Sequence, residues 1–466
     1  MSANAAAILL AAISGAAVAA LPGTAAPAAI IAGLLLGAAI GARFGRPRMG
    51  FSPWSLAVAA FAVPVLTMPV APGADMAMHV ALARGLLEGD LSAAWPTVHA
   101  AAYPRGFAAL VALLSPVGLA RAGLLAAAAS YLAFWLGLSA VLQGPLRAPA
   151  PRTVAAVAVL LSRTPQHFFG WGGNATAMAI GLSLFGAAQE NGRLAALCLA
   201  GAAAIHPMGA CAGALVLALR WRAPRVIVAG AAGLGLALGA LAIWGPALSP
   251  RETAWMRDYA AHQERVGIGV LGDVTNVVTL LAAGFLIAKR ELRTVMTTAA
   301  AVLALFAFFA LLPRTGLYPG RFAPLLLVAV TPLWARAAAA RIPLLAPIAL
   351  LIALPGHLRW YQRAPPMATA GDVAAIQCVR RETPPSAVID GAYGDATQWI
   401  PALAGRAVTR PHEHVSLFDE IEVALSRLPK PAFHFTGERL IYGDAAPPAE
   451  GTPLCGGHLL RLREDH

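Results

Sequence analysis

The densest chemistry in this sequence lies between residues 71 and 106, APGADMAMHVALARGLLEGDLSAAWPTVHAAAYPRG. There Asp75, His79, Arg84, Glu88, Asp90, His99 and Arg105 interrupt a chain that is otherwise almost uncharged. Ionisable groups beside a membrane-grade apolar run are costly, so such a cluster marks a functional site unless it is simply a wet loop. A carboxylate such as Asp75 can take the proton of an attacking hydroxyl when it lies within hydrogen-bond reach. His79 stands one helical turn further on and shares its face. Further along, His167 and Asn174 flank the run Phe169-Gly170-Trp171-Gly172-Gly173. With Trp171 they could line a substrate pocket with one aromatic wall; a glycine-requiring turn between helices is the plainer reading. His206, before Pro207, either joins such a pocket or satisfies backbone groups freed at a helix break.

The elements that must position these residues are membrane-type helices. With 59% hydrophobic and 12% charged residues, the chain is far from the soluble average of about 25% charged. Alanine, glycine and leucine fill the apolar runs, and small residues let such helices approach closely. The net charge of +12 does not argue for nucleic acid, because most arginines fall in short clusters between apolar runs. The first run has no basic residues before it, so residues 5–21 read as a span rather than a cleaved signal.

The clusters Arg43/Arg46/Arg48, Arg147/Arg152, Arg193, Arg220/Arg222/Arg225, Lys289/Arg290/Arg293 and Arg336/Arg341 are assigned to the cytoplasm. The N-terminus is then inside and the Asp75 loop outside. Parity makes the short run 106–119, broken by Ser115-Pro116, an interfacial helix, and makes 194–220 two short spans meeting at His206-Pro207 or a re-entrant pair. The expected fold class is mainly α, a polytopic transmembrane helical bundle over 1–358 with about 11 to 13 spans. Within it, 5–42 is an added N-terminal hairpin and 71–120 the outer loop with interfacial helices.

After Leu358 the composition turns polar, with alternating stretches at Ser386–Asp390 and Arg439–Tyr442 and glycines 437, 443, 451, 456 and 457 in turn positions. Residues 359–466 are therefore expected to form a small extracytoplasmic α/β domain. Cys198 and Cys211 sit in apolar runs and read as core; Cys378 and Cys455 share the outside domain and are expected to pair.

Several segments together carry a resemblance. They are Tyr103-Pro104-Arg105-Gly106-Phe107, Phe169 to Asn174, His206-Pro207, and Trp399-Ile400-Pro401-Ala402-Leu403-Ala404-Gly405-Arg406. In their order and spacing, with a span leading into an acidic outside loop and a soluble tail, they are similar to segments of actinobacterial membrane proteins like the C-type (GT-C) glycosyltransferases. The resemblance implies an inverting transfer of a hexose or pentose from a polyprenyl-phosphate donor to a glycan or lipid acceptor on the outer face of the bacterial inner membrane.

By position Asp75 matches the family's acidic residue, which acts as base or helps hold a divalent cation, magnesium or manganese. Members with a second acid beside the first are not matched, since Met76 follows Asp75. The leaving phosphate needs cations, and arginine can donate two hydrogen bonds from its planar fork. The loop Arg314-Thr315-Gly316-Leu317-Tyr318-Pro319-Gly320-Arg321 offers two arginines, with Arg321 favoured, Arg105 as a further candidate, and Tyr103 and Tyr318 beside them; interfacial snorkelling also explains Arg321. The sequence shows no P-loop, zinc-ligand spacing or nucleotide-binding glycine fingerprint. The alternative function is non-enzymatic, either a transporter or an inactive scaffold of the same fold. A transporter would show two related halves, whereas only one broken segment stands out.

Overall fold

The computed structural model describes residues 3–21, 27–44, 63–90, 104–142, 173–218, 224–244, 277–311, 325–326, 329–330, 333–334, 336–337, 367–391, 395–410, 429–437 and 451–462. The described chain is mostly helical, with a small sheet near its C-terminal end. Tyr103, His167, Trp171, Arg314, Tyr318 and Arg321 lie outside the described residues, as do the 153–169 run, the loop from 249 to 269 and the Arg439–Tyr442 stretch.

Runs of alanine and leucine, strong helix formers, give α1 (Ala3–Ala19), α2 (Pro27–Phe44), α3 (Ala74–Glu88), α4 (Gly106–Leu114), α5 (Leu119–Leu142), α6 (Asn174–Ala188), α7 (Gly192–Ile205), α8 (Pro207–Ala218), α9 (Pro224–Trp244), α10 (Val277–Ala288) and α11 (Leu292–Leu311). Their ends follow capping chemistry. Asn191 caps α7 by accepting from the backbone N–H groups of Arg193 and Leu194 at 3.0 and 3.2 Å. Pro207 opens α8, where a missing N–H costs nothing. Gly89 closes α3 in the left-handed conformation at φ 72°.

Small residues set the packing. Gly15, Gly33, Gly37 and Gly41 bring α1 and α2 together backbone to backbone, and Gly137 and Gly181 do the same for α5 and α6. A Cβ at any of these positions would collide with a facing backbone. Gly209 meets Ala179 and Gly213 meets Ser183, so α8 runs parallel to α6. The Ser183 hydroxyl also donates to the Gly209 carbonyl at 2.6 Å. Since α7 returns antiparallel to α6 through the short 189–191 turn, α7 and α8 fold back on one another at His206-Pro207.

One described segment, Leu119–Val141, is long and apolar enough to cross a membrane, and the other apolar helices are shorter over their described residues. Leu35 and Leu36 on α2, Val228, Leu236 and Ile243 on α9, Leu280 and Leu281 on α10 and Leu303 on α11 nevertheless stand exposed. Outer faces of this kind call for a covering apolar phase or partner.

Helices α3 and α4 are enclosed by protein over most of their length. Residues 75–85 of α3 and 106–112 of α4 are buried. The cause is a contact across the chain. The C-terminal segment around Trp399 packs onto α3 and α5, so that a Cβ at Gly123 would meet both Val80 and the Trp399 ring.

The C-terminal region contains α12 (Ala370–Glu382), opened by a reciprocal cap in which the Thr369 hydroxyl accepts from the Asp372 N–H at 3.1 Å and the Asp372 carboxylate accepts from the Thr369 N–H at 2.9 Å. Strands β1 (Val388–Asp390), β2 (Ala407–Val408), β3 (Phe433–Phe435), β4 (Gly451–Leu454) and β5 (Leu459–Leu462) form one sheet in the order β2-β1-β3-β5-β4. β1 is parallel to β2 and β3, with Ile389 opposite Val408 and Phe433, while β5 is antiparallel to β3 and β4. Between β1 and β2 come a 3-10 turn at Ala396–Trp399 and a short helix α13 (Ile400–Leu403). Cys378 and Cys455 form a disulfide with a Cα separation of 5.6 Å, tying α12 to the β4–β5 turn. Cys198 is buried and Cys211 half-buried, both as free thiols.

Candidate functional site

Asp75 falls in the first turn of α3, where its charge complements the helix dipole. It is 9% exposed, and His79, one turn later, 1%. The His79 ring packs edge-on against Phe107 with centroids 4.8 Å apart, which joins the Asp75 face of α3 to the start of α4. Arg105 precedes that helix and is half-buried. Beside it, Gly106 lies so close to the Ala204 carbonyl and Ala17 that no side chain would fit. Ala204 is two residues before His206, the buried residue that ends α7. The α6–α8 register, carried back one turn from Ala179 opposite Gly209, sets the start of α6 beside this break. Asn174 opens α6 there, 1% exposed, with neither carboxamide atom hydrogen-bonded among the described residues.

His79, Arg105, Asn174 and His206 therefore gather toward one end of the helices, with Asp75 one turn from His79. The opposite end is basic. Arg43 and Arg193 both stack on the Phe44 ring, at 5.7 and 5.3 Å from its centroid, and Gly192 abuts the Arg225 carbonyl.

The other face of α3 meets the C-terminal region. Arg84 pairs with Glu88 at 2.8 Å and donates to the Ala402 carbonyl at 3.4 Å. Gly405, left-handed at φ 65°, lays its backbone against the same guanidinium, where any Cβ would collide. Arg406 donates to the carbonyls of Arg380 and Thr383, both at 2.8 Å, and to the Thr383 hydroxyl at 3.1 Å, tying this loop to the end of α12. Burial and the neighbouring Arg380 and Arg84 charges lower the Arg406 pKa from its ordinary value.

A divalent cation needs more donors than are seen here. Asp75 and His79 supply two, and among the described residues no group of three His, Cys, Asp or Glu side chains could hold a metal.

The sequence offered little for the C-terminal contribution. Trp399 stood within a recognisable segment without a role, and Thr397, Gln398 and the Asp390–His434 pair gave no spacing signal. In the structure Asp390 Oδ2 lies 3.6 Å from His434 Nδ1 and Oδ1 accepts from the Thr409 hydroxyl at 2.7 Å. These two side chains, His434 first, hold the Asp390 carboxyl down to about 2.

No family model, no curated protein and no solved structure matches the chain.

Proposed function

We propose that this protein is a polytopic inner-membrane glycosyltransferase of GT-C type, moving a sugar from a polyprenyl-phosphate donor to a glycan or lipid acceptor of the cell envelope. The carrying observation is the buried Asp75–His79 pair on α3, next to the end of the helices where Arg105, Asn174 and His206 gather. A buried carboxylate is expensive to keep in an apolar helical body without a task. Its task in this reading is to accept the proton of the acceptor hydroxyl as that oxygen attacks the sugar carbon. His79, one turn away, orients the carboxylate or the acceptor. The leaving phosphate takes its charge compensation from Arg321, with Arg314 and Arg105 in support, and Tyr103, His167, Trp171, Asn174, His206 and Tyr318 line the sugar pocket.

In the same reading the polar end and the C-terminal domain face the outside, while the basic end with Arg43, Arg193 and Arg225 and the N-terminus face the cytoplasm. Exposed leucines on α2, α9, α10 and α11 support lipid as the surrounding phase.

The test is transfer by the purified full chain from a polyprenyl-phosphate sugar. Asp75→Asn should lower it by roughly 10²-fold with helicity unchanged. Transfer at the parental rate would defeat this reading and leave a transporter or an inactive scaffold.

A further inference from the structure

Three consecutive residues hold buried polar atoms with no hydrogen-bond partner among the described residues. They are the Thr397 hydroxyl, both carboxamide atoms of Gln398, and Trp399 Nε1. Gln398 is 1% exposed and its two neighbours are fully buried. Proteins pair nearly all such groups, because an unpaired one loses its water without compensation. Four in one turn ask for an occupant.

Their position in the fold is specific. The Thr397 side chain sits on Gly391, where no Cβ could fit, so the turn lies at the carboxyl end of β1 beside Asp390. β1 has parallel neighbours on both sides, the next strand β2 on one and the following strand β3 on the other, so the strand order reverses across it. That is the switch point at which open α/β sheets hold ligands, outside the carboxyl ends of their strands. Trp399 completes the turn on the side of α3, near Val80 and Gly123.

We propose that Thr397, Gln398, Trp399 and Asp390 bind an uncharged, hydroxyl-rich ligand, a sugar, at the seam between the sheet and α3. A carboxamide both donates and accepts, a hydroxyl does either, an indole N–H donates and a carboxylate accepts, which together match neighbouring sugar hydroxyls. An anion does not suit the seam. Asp390 brings negative charge, while Arg84 and Arg406 are engaged with Glu88 and with backbone carbonyls. The proposal rests on the glycosyltransferase reading and deepens it, making this the site where the acceptor glycan is held.

The experiment is saturation-transfer NMR on the full chain in detergent, with methyl mannopyranoside and methyl arabinofuranoside as neutral probes and glucuronate as the charged one. At least one neutral glycoside should bind saturably, and Gln398→Met and Thr397→Val should each weaken it about tenfold, the value of one lost hydrogen bond in a polar pocket. Without sugar, Gln398→Met should melt no lower than the parent, because it replaces an unpaired buried amide with an apolar side chain of similar shape. Absence of saturable neutral binding, equal binding by both variants, preference for glucuronate, or a lower melting point of the sugar-free Gln398→Met protein would each overturn the site. The two readings fail separately. Loss of Gln398-dependent binding sinks this site whatever Asp75→Asn does to transfer, and unchanged transfer in Asp75→Asn sinks the transferase whatever Gln398→Met does to binding.

Discussion

The helical body and the C-terminal sheet region are held together by different means. In the body, glycines at 15, 33, 37, 41, 137 and 181 let backbones touch, and hydroxyls such as Ser14 and Ser130 bond back within their own helices, to Leu10 and Ala126. In the sheet region the joints are large and directional: the Trp399 ring, Phe435, the Thr369–Asp372 cap, the Arg406 fork and the Cys378–Cys455 bridge. Close backbone contact is what remains to drive association where the surroundings are as apolar as the helices, whereas large buried rings and a bridge suit a small unit folding in water. The two regions are packed by two different rules, and α3, with one face to each, is their common wall.

Breaking the first kind of joint should have the largest effect. Gly181→Leu would drive a side chain into the Ala133–Phe134 backbone of α5. It should cost roughly 5 kcal/mol or prevent assembly altogether, since no flexible neighbour can yield. Thermal unfolding and size-exclusion profiles in detergent would measure this, and a normal profile would show that the close contact does not hold the body together. Removing the bridge is next. The loop it closes spans a sequence separation of 77, so Cys378→Ser should destabilise the sheet region by about 4 kcal/mol. The body should keep its helicity under reducing denaturation; simultaneous loss of both would show the two regions to be one cooperative unit.

The smallest effect concerns acid. Because the Asp390 carboxyl is lowered from 3.8 to about 2 by His434 and Thr409, its contribution is complete above about pH 4 and is lost as pH falls toward 2. With that side chain 45% exposed and screened, the loss is about 1 kcal/mol. Asp390→Asn should flatten the acid limb of the sheet region's stability curve and leave the body's curve alone. An unaltered acid limb would assign that sensitivity to other carboxylates.

Much of this division is legible in the sequence, because each kind of packing writes its own pattern. The small-residue apolar runs announce helices, Pro207 after His206 announces a break, and Ser115-Pro116 an early stop at the end of α4. The polar turn after Leu358 announces the sheet, and Gly456 and Gly457 do sit at positive φ in the turn between β4 and β5. What the sequence hides is the seam. Nothing local to residues 71–90 signals that α3 will be covered on both sides, since the residues covering its second face, around Ala402, lie 318 positions from Arg84 and have ordinary composition. For the same reason Gln398 is silent as a sequence. It differs from any surface glutamine only in being buried without a hydrogen-bond partner among the described residues, which is a property of the assembled fold.

The Arg84 contact with Ala402 joins residues 318 positions apart. A ribosome adding about 5 to 20 residues per second needs roughly 15 to 60 seconds to supply the second after the first. Throughout that interval the helix bearing Asp75 has one face already packed and the other bare. The buried pair therefore acquires its final surroundings late in synthesis, and a nascent chain stalled before Trp399 would carry every residue of the α3 cluster yet lack the wall that closes over it.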